Sequence, residues 1–142
     1  MKNSQHFLLI ALICLAVTAQ GQNVKELEKE AQSYLQNGEF ELALSTINKA
    51  LEVEDLNLNL YMTRATIYLA KNEMTQSLTD YEFVLRHEPE NPAANYNAGF
   101  IYFYSTSQGK RDNDQMRRGC EYFAKAASFG SKKAESMLSK CK

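Results

Sequence analysis

The sequence predicts an all-α protein, a short solenoid of antiparallel helix pairs, and three observations carry the prediction. Tyr34, Tyr68 and Tyr102 are spaced by 34 residues each, and Ala31, Ala65 and Gly99, three positions earlier on the same helical face, share the spacing. A period in this range marks an array of stacked helix pairs, in which each unit buries its face only against its neighbours. Apolar residues recur at helical spacing on both sides of a turn within each period. Six Gly and two Pro in 142 residues leave little material for a turn-rich β-sandwich. With 44% hydrophobic and 23% charged residues, the chain has the profile of one compact domain and not of a disordered polymer. Eight Tyr and seven Phe, with no Trp, supply bulky anchors for a small core, and a net charge of -1 argues against a nucleic-acid partner bound through its phosphates.

Residues 1–21 form a separate object. Lys2 provides a positive start, and Phe7 to Ala19 carries no charge over thirteen residues before the polar run Gln20, Gly21, Gln22. This is the pattern of a signal peptide, since a spanning helix needs roughly 20 apolar residues. Small residues allow a cut after Ala19 or after Gly21, the second slightly preferred, and no stable membrane insertion is expected. Cys14 follows Leu12 and Ile13, which are too large for the small-residue site of lipoprotein processing. The expected location is therefore exported, periplasmic or extracellular, with a mature domain over 22–142.

The first unit runs from about 24 to 57. Leu27, Ala31, Tyr34 and Leu35 recur at helical spacing before the Asn37-Gly38 turn, and Phe40, Ala43, Leu44, Ile47, Ala50 and Leu51 do so after it. Gly38 supplies the left-handed residue that ends the first helix. The second unit, 58–91, repeats the pattern with Tyr61, Ala65 and Tyr68, then Asn72 at the turn, then Ser77, Leu78, Tyr81, Val84 and Leu85, with Pro89 as a helix stop. The third, 92–130, opens at Pro92 with Tyr96, Gly99 and Tyr102, but a polar insertion near 105–114 replaces its turn. The register returns eight residues late, so that Gly119, Phe123 and Ala126 take the places of Ala43, Ile47 and Ala50. A cap helix is expected over 131–141, with Ser131 as N-cap and Ala134, Met137 and Leu138 on one face.

These residues resemble the tetratricopeptide repeat (TPR) family, whose motif wants small residues at its eighth and twentieth places, an aromatic at the eleventh and Ala at the twenty-seventh. The small pairs are Ala31 with Ala43, Ala65 with Ser77, and Gly99 with Gly119. Helices cross closely at such pairs, and a larger side chain would push them apart. Departures are Leu27, Tyr61 and Asn95 where the motif has Trp, and Val84 in place of the late Ala. The resemblance covers about Val24 to the C-terminus and implies an exported bacterial-type member with three repeats, a capping helix and a right-handed solenoid. The run Tyr122 to Ala127, followed by Gly130 and Ala134, also resembles a shorter-helix relative of the same superfamily, which implies a tighter last unit.

Little in the chain suggests catalysis, and no cofactor or metal is expected. Only His6 and His87 are present, and His6 belongs to the signal segment. No His-paired triad or zinc cluster can be assembled from one histidine. Gly109-Lys110 ends a stretch that would need Gly at Tyr104 and Ser or Thr at Arg111 to cradle phosphate, so it reads as a solvated loop. His87 sits late in a helix, where a cation meets the favourable end of the dipole. Glu26, Glu28, Glu30, Glu39 and Glu41 read as the wet face of a helix hairpin.

With Cys14 removed, Cys120 and Cys141 remain, an even number in an exported protein. If the last two helices fold back about Phe129 and Gly130, the two lie at nearly the same height, given a rise of ~1.5 Å per residue. A disulfide between them is expected; the alternative is two unrelated buried thiols.

The resemblance also implies a concave groove lined by the first helix of each pair. By alignment it presents Lys25, Glu28, Gln32, Leu35 and Gln36, then Asn59, Met62, Thr66, Leu69 and Ala70, then Ala93, Tyr96, Phe100, Phe103 and Tyr104. Met62, Thr66, Leu69 and the third unit's four aromatics are the candidate protein-binding residues, since aromatics are enriched in binding hot spots. The alternative is that the insertion or the cap folds over these rings and makes them core. Family members that grip a C-terminal carboxylate use Lys, Asn and Arg where this chain has Glu28, Gln32, Thr63, Ala93 and Asn97, so that mode is not expected. Charge is divided along the chain: residues 22–60 hold three Lys against eight acids, net -5, and residues 105–142 hold nine Lys and Arg against four acids, net +5. Opposite ends can steer a partner or pair head to tail. The favoured reading is a non-catalytic adaptor for a peptide or protein segment; the alternative is a structural subunit of an envelope complex, or a self-associating assembly with the groove permanently filled.

Overall fold

The structure, a computed structural model, describes residues 23–104, 106–107 and 110–141. The signal segment, both cleavage positions and Cys14 lie outside the described residues, as do Ser105, Gln108 and Gly109 of the insertion. Seven α-helices follow one another among the described residues: α1 (23–36), α2 (Phe40–Val53), α3 (Leu58–Ala70), α4 (Met74–His87), α5 (Pro92–Tyr104), α6 (Asn113–Ser128) and α7 (Lys132–Leu138). A 3-10 turn, Ser139–Cys141, closes the series. The class is all-α, of the α-solenoid kind. Two compact units divide the chain, residues 1–63 and 64–142.

In the first unit, Val24 and Ala31, seven residues apart on α1, are buried, and so are Ala43, Thr46, Ile47, Ala50 and Leu51 on α2. The turn between the helices is made by Gly38 at φ 77°. Its N–H donates to the Leu35 carbonyl, and that of Glu39 to Tyr34. No atom lies within 4 Å of where a Gly38 Cβ would be, so glycine is used there for its backbone and not for space. Asn57 joins the end of α2 to the start of α3. Its amide donates to Glu54 Oε2 at 2.6 Å, and its Oδ1 accepts from the Asn59 N–H at 3.1 Å. Thr63 Oγ1 donates to Glu28 Oε1 at 3.1 Å.

The second unit repeats these devices one period later. Asn72, at φ 63°, takes the place of Gly38, with its own N–H on Leu69 and that of Glu73 on Tyr68. Asn91 takes the place of Asn57, its amide on Glu88 Oε2 at 2.9 Å and its Oδ1 accepting from the Ala94 N–H at 3.0 Å. α4 stops at His87, two residues ahead of Pro89, and Pro92 opens α5, where its missing N–H costs nothing. Ser77 Oγ crosses to the Ala65 carbonyl at 2.7 Å. Beside it Arg64 grips Asp80 with both ends of its fork, Nε and Nη2 each at 2.8 Å, and Asp80 is buried. A bidentate pair of this kind offsets the cost of a buried carboxylate.

α5 and α6 approach more closely. A Cβ on Gly119 would lie 2.6 Å from the Phe103 nitrogen, and one on Gly99 would lie 2.9 Å from Phe123 Cδ1. Around this crossing Phe103, Phe123, Ala126, Ala134 and Met137 form a buried cluster, with Tyr96, Phe100, Met116, Leu138 and both cysteines packed at its margin. Ser131 Oγ caps α7 by accepting from the Ala134 N–H, after a left-handed Gly130 at φ 90°. The Cα atoms of Cys120 and Cys141 are 5.8 Å apart, with their sulfurs paired.

Three expectations are corrected. The insertion is not wholly loop, because Thr106–Ser107 (β1) pairs antiparallel with Lys110–Arg111 (β2). It also ends before Asp114, because Asp112 Oδ1 accepts from the N–H groups of Asp114 and Gln115 and starts α6 at Asn113. The cap helix is also shorter than 131–141, tightening into the 3-10 turn after Leu138.

Candidate functional site

The aromatic residues of α5 divide by face. Tyr96, Phe100 and Tyr104 follow one another every fourth residue, so they form one row along the helix. The Phe100 and Tyr104 rings are 4.7 Å apart between centroids, and Tyr96 lies 5.7 Å from Phe123. Tyr104 is 40% exposed, whereas Tyr96 and Phe100 are half-buried against the edge of the core cluster. Phe103 is 1% exposed. Its place in the expected groove is corrected: the ring turns to α6, where Gly119 meets its backbone and Phe123 lies 5.7 Å away, and it stays inside the core. Thr66 is exposed and Leu69 half-buried on α3, and Met62, in the first unit, is half-buried. Of the fifteen positions assigned to the groove by alignment, all but Phe103 keep exposed surface.

The cap adds groups that the repeat pattern alone did not place at α5. A hollow of about 250 Å³ is lined by Pro92, Ala93, Tyr96 and Asn97 from α5 and by Ser131 and Lys133 from the cap. At the other end of the row Lys140 Nζ lies 3.4 Å from the Tyr104 hydroxyl. The sequence signal for these cations is the net +5 of residues 105–142, which does not by itself say that Lys133 and Lys140 lie beside α5.

On the α4 and α6 side, Tyr102 donates to Glu82 Oε1 at 2.8 Å and stacks on Tyr122, with centroids 5.5 Å apart and planes 7° from parallel. Burial first, and the Glu82 carboxylate second, push the Tyr102 phenol up to about 12. Both effects favour the protonated ring, so it serves as a hydrogen-bond donor near neutral pH. His87 hydrogen-bonds through Nδ1 to the Phe83 carbonyl at 2.9 Å, an arrangement internal to the end of α4. Among the described residues no group of three or more His, Cys, Asp or Glu is placed to hold a metal ion, and no helix is long and apolar enough to cross a membrane.

No family model matches the sequence, and no curated protein does. Solved structures do. The first TPR of Spaghetti (RPAP3), bound to the HSP90 peptide SRMEEVD, superposes with a TM-score of 0.71 at 15% identity, over 84% of this chain and 90% of that one. The Sgt2 TPR domain from Aspergillus fumigatus does so at 0.70 and 19% identity, over 82% and 75%. The fold is TPR-like. A MamA double mutant (RS-1 ArsTM) is also similar, at 0.68 and 17% identity, over 94% of this chain and 80% of that one. A TPR-like fold accounts for the small pairs at the crossings, and at these identities the likeness speaks to architecture alone.

Proposed function

We propose that the chain is an exported, non-catalytic protein-interaction module that holds a peptide or protein segment on the open face of α5. The row Tyr96, Phe100 and Tyr104 carries the reading: three large rings that keep exposed surface, beside a hollow shared with the cap. Such rings offer wide contact area and lose little rotamer freedom on binding. The peptide bound by the Spaghetti (RPAP3) domain supports a segment of chain as the ligand. Export is supported by the uncharged run from Phe7 to Ala19, and an oxidised Cys120–Cys141 pair suits such a compartment. N-terminal sequencing of the cellular protein should begin at Gln20 or Gln22; intact Met1 or a lipid on Cys14 would remove the export reading.

The binding test compares two truncations. A partner captured from the envelope or secreted fraction is titrated against the wild type, Tyr104→Ala and Phe100→Ala. Tyr104→Ala should weaken binding by about thirtyfold, roughly 2 kcal/mol, with unchanged melting temperature. Phe100→Ala should weaken binding and also destabilise the fold by about 3 kcal/mol, because its ring packs on the core cluster. Unchanged affinity in Tyr104→Ala, and in Phe100→Ala after correction for the folded fraction, would rule out this face.

A further inference from the structure

We infer that the chain also associates with a second copy of itself, head to tail, the outer face of α2 on one copy meeting the α6–α7 corner of the next. Leu42, Val53 and Leu56 are 49%, 45% and 68% exposed, three of the five exposed large apolar side chains among the described residues. Leu42 and Val53 are eleven residues apart, about three helical turns, so they share one face, and Leu56 follows in the turn after α2. The helix pair does not require this exposure. One period later the same places hold Gln76, His87 and Glu90, all polar. In the last pair, with the eight-residue shift, they hold Arg118, Phe129 and Lys132.

Equivalent positions on the first and last pairs therefore carry complementary chemistry. On α2 the apolar groups are flanked by the exposed acids Glu52 and Asp55; at the corner, Phe129, 38% exposed, lies between exposed Lys125 and Lys132 in the sequence, with exposed Arg118 about three turns earlier on the same face of α6. The wider segments agree, net -5 over residues 22–60 and net +5 over residues 105–142. Apolar patches rimmed by charge mark interaction sites, and opposite rims choose the partner's orientation. Because the two surfaces differ, the contact is heterologous. It uses none of the α5 row, so it stands or falls apart from the peptide-binding reading.

Mass in solution tests it, on the protein in the form its own cell contains, across concentration and at about 50 and 500 mM salt. Association that weakens in high salt is expected. Glu52→Lys with Asp55→Lys, and separately Arg118→Glu with Lys132→Glu, should each raise the apparent dissociation constant by about tenfold or more. An equimolar mixture of the two variants should re-associate, since each keeps one native surface and the reversed ones match. Leu56→Asp should weaken association with unchanged melting temperature. A monomer at every concentration, association indifferent to both charge reversals, or a mixture that stays monomeric would overturn the inference. A monomer that Leu56→Asp destabilises would do so as well, by showing that the face is covered within the chain.

Discussion

The α3–α4 pair and the α5–α6 pair both need a close crossing, and they hold it by different means. At the first, Ala65 faces Ser77, whose hydroxyl ties the helices through the Ala65 carbonyl, and the turn at Asn72 fixes how the second helix leaves the first. At the second, two glycines bring backbone against backbone, and the turn is replaced by the stretch carrying β1 and β2. Lengthening a connection costs little, about 0.6 kcal/mol for each doubling, but it no longer dictates register. The register of α5 and α6 is held instead by the fit of Phe103 and Phe123 around the glycines, in a cluster that Ala134 and Met137 of the cap complete. Where the turn is tight the crossing tolerates an ordinary small residue; where it is long, the crossing itself must specify the fit.

Placing alanine on the α6 side and on the α4 side gives the sharpest contrast. Gly119→Ala should destabilise by about 3 kcal/mol or more, since the new methyl meets the Phe103 backbone nitrogen and Cβ, neither of which can yield without moving α5. Ser77→Ala should cost about 1 kcal/mol, one hydrogen bond with no void or clash. Urea unfolding of both variants gives the two values, and equal losses would break the comparison.

The crossings were legible in the sequence because they depend on spacing: a small residue every 34 positions, its partner twelve later, and the eight-residue slip at Gly119. The capping network was equally periodic and was missed. Glu54 with Asn57 and Glu88 with Asn91 recur 34 residues apart, but polar caps leave no mark on an apolar pattern. The insertion near 105–114 hides the start of α6 for the same reason, since the cap Asp112 sits in a polar run. For the candidate site, the row on α5 was readable, and the burial of Phe103 was not. That burial depends on how closely α6 crosses α5 beyond the insertion, with Gly119 and Phe123 against Phe103, and the apolar period along α5 does not encode it.

Replacing both cysteines of the expected disulfide tests whether the cap supports the second crossing alone. Cys120→Ser with Cys141→Ser should lower stability by about 3 kcal/mol, from the chain entropy of closing a loop over a separation of 21 residues. Hydrogen exchange should show the loss in α7 and the facing end of α6, with α3 and α4 amides protected as before. Free thiols in the unfolded, unreduced protein would remove the premise. Loss spread evenly over α3 to α7 would mean the cap and the α3–α4 pair unfold as one body.

The smallest effect is expected at the turn that the first of these pairs retains. Asn72 adopts φ 63°, where a side chain crowds the following carbonyl at a cost of roughly 1–2 kcal/mol for most residues and less for Asn, whose short polar group bonds locally. Glycine removes that strain but gives the unfolded chain more freedom, and the two effects nearly cancel. Asn72→Gly should therefore change stability by no more than about 0.5 kcal/mol, while Asn72→Ala should lose about 1 kcal/mol. Gly38→Ala, at the matching turn of the other unit, should lose a similar amount, with no steric share because the space around it is open. If Asn72→Gly cost as much as Asn72→Ala, the Asn side chain and not its backbone angle would be holding the turn, and the α3–α4 crossing would owe its register to a specific hydrogen bond.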